Sequence, residues 1–374
     1  TITNQQAWSV EIFGDYCYVS SRGGGIQIFD ISDVSNIRNI GNTQDMKSSM
    51  QTDGRNVKVY NGYMYAGFEK GLSKFSLDNP SEPALAASTS GEQKIIGMAF
   101  HNNLMFATTN DGVLDTIDIT SDTLKREARI GRDSVLGKHK AVFVYGDYLY
   151  ATCEKGLKVF DVSNGMTEIL KLDLSGIGGG NINNIIVTEK AVIMADWGGE
   201  KPIYIFDLSD GRDIRTMTVD DLILYRISGY KPRGIYVDND ILYYTSDTGV
   251  LTLLDISEPK SPLEILSKSG LGQLPDVAVK NNVIYMTNRG GGIITAVVPE
   301  IAYLSVGEDA YTKFPIDVKG NVLGNSKDYE LYIDGIKLKE GNAENGIEEK
   351  IYSLPNGTHT LGIATKGSEN ITEY

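Results

Sequence analysis

The candidate acid–base groups of this 374-residue chain are few: three histidines, His101, His139 and His359. No two of them have metal-pair spacing, and no G-x-S-x-G, Walker loop or H-E-x-x-H is present. The two cysteines, Cys17 and Cys153, form no C-x-x-C pair, so both are expected to be free, buried thiols. Gly176-Ile-Gly-Gly-Gly180 follows an apolar strand but opens no helical pattern, which argues against a dinucleotide loop. Asn110-Asp111-Gly112 and Asp238-Asn-Asp240 have turn chemistry without the oxygen-ligand spacing of a calcium loop. The sequence therefore assigns no catalytic residue, no metal and no cofactor. Any chemistry must come from side chains that a fold gathers from distant positions.

The elements that would gather them are repeats. One pattern recurs: an apolar strand, a two-residue turn, an aromatic strand, a Gly turn, then an apolar strand ending in Asp-aliphatic-Ser. It is clear in Val10-Glu-Ile-Phe-Gly-Asp-Tyr-Cys-Tyr-Val19 with Gly25-Ile-Gln-Ile-Phe-Asp-Ile-Ser32, and again in residues 141–163. The anchor Asp falls at Asp30, Asp118, Asp161, Asp207 and Asp255, with Ser76 and Ala296 in the same place. Successive anchors are 46, 42, 43, 46, 48 and 41 residues apart, so seven units are expected. Turn pairs separate the first two strands: Gly14-Asp15, Asn61-Gly62, Asn102-Asn103, Gly146-Asp147, Asn239-Asp240 and Asn281-Asn282. These residues tolerate the positive φ of tight hairpins. The fifth unit departs, with Glu189-Lys190.

A four-stranded unit of this length is one propeller blade. The expected fold is all-β: a seven-bladed β-propeller over residues 1–304, then a small immunoglobulin-like β-sandwich over 305–374 that is expected to be cut short. The ring is closed in the seventh unit by residues 2–6 or, alternatively, 301–306. The anchor aspartates recur in nearly every unit, so they are read as structural, bonding turn amides.

Residues that vary between blades are better placed for function. Loops before the first strand and between the second and third strands share one rim around the axial channel. They bring Arg22, Arg55, Glu69, His139, Lys140, Glu154, Asp196, Trp197, Tyr230, Arg233, Asp247, Asp276 and Arg289 to that rim as candidate ligand-binding residues. Trp197 is either an aromatic platform for a sugar or partner, or a ring packed between blades. Arg22, Arg233 and Arg289 make inter-blade salt bridges or converge on an anionic ligand, such as a carboxylate-bearing glycan.

Gly156-Leu-Lys-Val-Phe-Asp-Val-Ser163, and Gly249-Val-Leu-Thr-Leu-Leu-Asp-Ile-Ser257 with Pro259, resemble the LVIVD-repeat propellers. The resemblance covers roughly residues 7–299 and departs at Ser76 and in the seventh unit. It implies a secreted or surface bacterial protein and carries over no catalytic residues. Tyr329-Glu-Leu-Tyr-Ile-Asp-Gly335 and Leu354-Pro-Asn-Gly-Thr-His-Thr-Leu361 resemble bacterial immunoglobulin-like surface modules, in which His359 would be structural.

With 35 Lys and Arg against 49 Asp and Glu, the chain carries −14, which disfavours nucleic acid as a partner. No apolar run is long enough to span a membrane. The chain starts without Met or a signal peptide and stops without an obvious end, so the natural protein is expected to continue. The expected function is a non-catalytic extracellular or cell-surface binding or adhesion module. It would be monomeric, without a cofactor, and would bind a protein or a cell-wall or plant polysaccharide through the rim. A hydrolase or lyase with its site at the channel mouth, and an architectural spacer, are the alternatives.

Overall fold

The computed structural model describes residues 6–43, 54–89, 93–120, 123–198, 203–225, 231–305, 315–355, 358–368 and 370–373. The chain divides into two compact units, one of residues 1–280 and 285–295, the other of 281–284 and 296–374.

The first unit is built of repeated four-stranded antiparallel sheets, each a simple meander. The opening sheet runs Gln6–Phe13, Tyr16–Arg22, Gly25–Asp30 and Arg38–Asn42 in that spatial order. The innermost strands of successive sheets are Gln6–Phe13, Gly54–Tyr60, Ile95–His101, His139–Tyr145, Ile182–Val187, Pro232–Asp238 and Val277–Lys280. Each packs beside the next, and Val277–Lys280 packs beside Gln6–Phe13, so the series returns to its start. This is a propeller-like arrangement. The sheets are buried on both faces along their second and third strands, and apolar clusters fill the space between neighbours. Tyr18, Tyr65, Phe106, Tyr244 and Tyr285 are among the largest fully buried side chains. Outer strands are more exposed, as in Lys125–Ile130 and Leu263–Lys268.

The hairpin reading holds at the backbone. Gly14, Asn61, Asn102, Gly146, Asn239, Asp240, Asn281 and Asn282 all take positive φ. The fifth sheet solves its turn differently: the Thr188 hydroxyl accepts the amides of Lys190 and Ala191. That is why Glu189-Lys190 suffices there.

The anchor aspartates are turn caps. Asp30 Oδ1 accepts both the amide (3.0 Å) and the hydroxyl (2.6 Å) of Ser32. Asp118 does the same to Thr120, Asp161 to Ser163 and Asp207 to Ser209, and Asp255 accepts the Ser257 amide. In the second sheet the partners trade places. Ser76 Oγ donates to Asp78 Oδ2 (2.7 Å) and accepts the Asp78 amide (3.1 Å).

The seventh sheet has three strands among the described residues. Of the two expected closing segments, 301–306 has its described part engaged elsewhere: Ile301–Ser305 pairs antiparallel with Ile316–Leu323 in the second unit. The other, 2–6, lies outside the described residues except for Gln6, which pairs with Arg22 in the first sheet.

In the second unit, a three-stranded sheet of Ile301–Ser305, Ile316–Leu323 and Ile347–Ile351 and a four-stranded sheet of Ile336–Asn342, Asp328–Ile333, Leu361–Thr365 and Thr372–Glu373 share one core. Leu304, Val318 and Val322 meet Tyr329, Leu331 and Ile363 there. His359 ties the hairpin, with Nδ1 2.7 Å from Asp334 Oδ2 and Nε2 2.9 Å from the Pro355 carbonyl oxygen. Both ring nitrogens face acceptors, and the bond to Asp334 raises the His359 pKa above its ordinary value.

Candidate functional site

The innermost strands share an irregularity that creates the site. In the first sheet Ala7 pairs with Ser21 and Ser9 with Ser20, leaving Trp8 without a partner position. The same one-residue bulge leaves out Arg55 in the second sheet, Ile96 in the third and Asn183 in the fifth. In the fourth it spans Lys140 and Ala141, and in the sixth Arg233 and Gly234. A β-bulge re-aims the extra side chain out of the pleat. Here Trp8, Arg55, Ile96, Lys140, Asn183 and Arg233 stand at one repeat position and line one cavity.

That cavity holds about 680 Å³ and is bounded by residues from all the innermost strands. Its charged lining consists of Arg55, Lys58, Lys94, Lys140 and Arg233 against Glu11 and Asp276, an excess of three positive charges in a chain of net −14. Within it, Lys58 Nζ lies 2.9 Å from Glu11 Oε2, and that carboxylate raises the lysine pKa. Burial pushes the Asp276 carboxyl upward, against the pull of Lys58. Asp276 Oδ2 also accepts the Val10 amide at 3.0 Å, linking the last innermost strand to the first.

Two tryptophans organise the cations. Arg289 lies 4.3 Å and Arg55 4.9 Å from the Trp8 ring centroid. Lys231 and Arg233 stand over Trp197, at 4.4 and 5.1 Å. The Trp197 indole N–H donates to Asp247 Oδ2 (2.7 Å), and Arg233 Nε donates to the same oxygen (2.8 Å). Arg289 approaches Asp247 Oδ1 at 3.6 Å. Each of these contacts holds a cation against the negative face of an indole. Arg55 is only 10% exposed, and Glu69 bridges it to Lys94, both at 3.2 Å. Lys140 faces Glu154 at 3.5 Å.

Of the sequence-predicted set, Arg55, Lys140, Arg233 and Asp276 line the cavity, and Glu69, Glu154, Trp197, Asp247 and Arg289 each contact a lining residue. Four others differ. Arg22 is exposed at the end of its strand and does not line the cavity. Tyr230 lies outside the described residues. Asp196 organises its own loop, accepting the amides of Gly180, Asn181 and Gly198 and the Tyr204 hydroxyl. His139 is fully enclosed, with Nδ1 3.5 Å from Cys153 Sγ, so it presents nothing to the rim. It pairs with Cys153 across two strands, which turns its ring into the sheet. Burial depresses its pKa to about 4 and raises the Cys153 thiol to about 12, so both stay neutral at pH 7. Trp197 is not a bare platform, since cations cover it and its N–H is used.

Trp8, Lys94, Lys58 and Asn56 were missed by sequence reasoning. The available signal was positional: Trp8 and Arg55 each stand two residues before the valine, Val10 or Val57, that pairs with the second strand.

Residues 5–45, 52–90 and 136–173 each match the LVIVD repeat. The chain carries three LVIVD repeats. No curated protein matches the sequence. Among solved structures, the computationally designed Ika8 protein is similar with a TM-score of 0.54 and 10% identity, over 79% of this chain and 96% of that one. A chain of a mitotic checkpoint complex is similar with a TM-score of 0.58 and 8% identity, over 75% and 83%. At these identities the likeness speaks for the propeller-like repeat fold alone. The third matched range contains Lys140 and Glu154, and the first two contain Trp8, Arg55 and Glu69.

Proposed function

We propose that this chain is a non-catalytic, extracellular or cell-surface binding module. It would be a seven-bladed propeller followed by an immunoglobulin-like sandwich, meeting a protein or a polysaccharide at the propeller's rim. Seven repeat anchors and the returning series of innermost strands support the blade count. Two sheets around one core, with the His359 hairpin, support the immunoglobulin-like reading.

The observation that carries the binding reading is the cavity mouth. A bulged position in each of six sheets delivers a side chain, three of them cationic, to a cavity of about 680 Å³, and the lining is cationic in an acidic chain. Small-molecule sites occupy roughly 300–1,000 Å³, with a few placed polar groups. Indole-stacked arginines also suit the centre of a partner interface.

The test is a glycan and protein array probed with the purified chain and its Arg55→Ala and Lys140→Ala variants. Binding that both variants weaken supports the reading. No binding above background, or binding indifferent to both changes, sinks it.

A further inference from the structure

The geometry points to an anionic oligosaccharide, a short chain of acidic sugar rings, as the ligand of the cavity mouth; this rests on the binding reading above. Two kinds of group meet there. The first is cationic. Arg55, Lys140 and Arg233 stand at the bulge position, and Arg289 lies over Trp8. Arg289 Nε has no hydrogen-bond partner among the described residues, and its guanidinium lies 3.6 Å from Asp247. Asp247 is shared between Arg233, Arg289 and the Trp197 N–H, so one carboxylate balances two guanidiniums.

The second kind is neutral. Asn56, Asn181 and Asn183 line the same cavity, and the side-chain oxygen of each lacks a partner among the described residues. A buried amide oxygen without a donor is costly. A bare anion brings no donor to satisfy it. A ligand that carries an anionic group and several hydroxyls answers both sets at once. Acidic sugars have that chemistry: the anion meets the guanidinium edges in plane, and hydroxyls donate to the amide oxygens. An acidic peptide supplies the charge but fewer donors per carboxylate. A cavity of about 680 Å³ has room for a few rings and not for a folded partner.

The experiment is calorimetric titration of the whole chain with trigalacturonate, its methyl ester, a sulfated heparin disaccharide and triglutamate. Trigalacturonate or the sulfated disaccharide should bind, and which of the two does so distinguishes carboxylate from sulfate. Methyl esterification should weaken trigalacturonate roughly tenfold or more, the worth of one charge-assisted bond. Lys140→Gln and Asn183→Leu should each weaken binding by a similar factor without lowering the denaturation midpoint. Added salt should weaken the wild type more than Lys140→Gln. Equal binding of acid and ester, or binding of triglutamate alone, overturns the sugar assignment. So does failure of all the anionic probes. If an array ligand still depends on Arg55 and Lys140 in those cases, the binding module stands and only its ligand class falls. If none does, both fall.

Discussion

Trp197 and Asp247, 50 residues apart and on adjacent sheets, share a 2.7 Å hydrogen bond that holds the most cationic part of the cavity mouth together. The same carboxylate serves Arg233 and Arg289. Its side chain is 9% exposed, so removing it strands two guanidiniums beside an indole. Breaking a fully buried pair costs about 3–5 kcal/mol, and the arginines here keep some access to water. Asp247→Ala should therefore lower stability by about 2–3 kcal/mol, read from urea denaturation. An unchanged midpoint would mean that the cations are held by the tryptophans alone.

The repeat period, the hairpin turns and the capping aspartates were legible because each is local. Asn-Gly and Asn-Asn pairs specify positive φ by themselves, and Asp-x-Ser closes its turn within three residues. The cavity lining was only half legible. Arg55, Lys140 and Arg233 were found as loop residues before a strand, yet they belong to the strand, at a bulge that depends on pairing with the next strand. His139 sits one residue from Lys140 and faces the opposite way, into the sheet. A one-residue change of register decides which of the two meets solvent, and no local pattern states that register.

The exchanged turn of the second sheet offers a clean test. Ser76 and Asp78 make the same two bonds as Asp30 and Ser32, with roles reversed. Ser76→Ala should cost about 0.5–1 kcal/mol, as a lost exposed cap does. The double change Ser76→Asp with Asp78→Ser recreates the pattern of the other sheets and should restore wild-type stability to within about 0.5 kcal/mol. A double variant weaker than Ser76→Ala would show that the order matters.

The link between Asp276 and the Val10 amide joins the two ends of the innermost series across 266 residues. Asp276→Ala removes that acceptor and the one for the Val277 amide. Amide exchange at Val10 should speed up by at least about tenfold, while amides of the His139–Tyr145 strand keep their rates. Uniform acceleration would instead indicate global destabilisation.

His139 gives the chain an acid-sensitive centre. Burial is the main cause of its depressed pKa, with the Lys158 charge adding to it. In the unfolded chain it titrates near 6.5, and in the folded chain near 4. Between these values the unfolded state binds a proton that the folded state refuses, so stability rises with pH. The contribution is complete above pH 6.5 and is lost as the pH falls toward 4. At 1.36 kcal/mol per unit, the full loss is about 3 kcal/mol, and about 2 kcal/mol is gone by pH 5. Denaturation midpoints at pH 7 and pH 5 should differ by that much more in the wild type than in His139→Gln. Ring titration by NMR supplies the second check. With three histidines to assign, His139 should stay neutral until about pH 4 while His359, bonded to Asp334, titrates above its ordinary value. A His139 ring that protonates near 6.5 in the folded protein would remove the basis for the acid sensitivity.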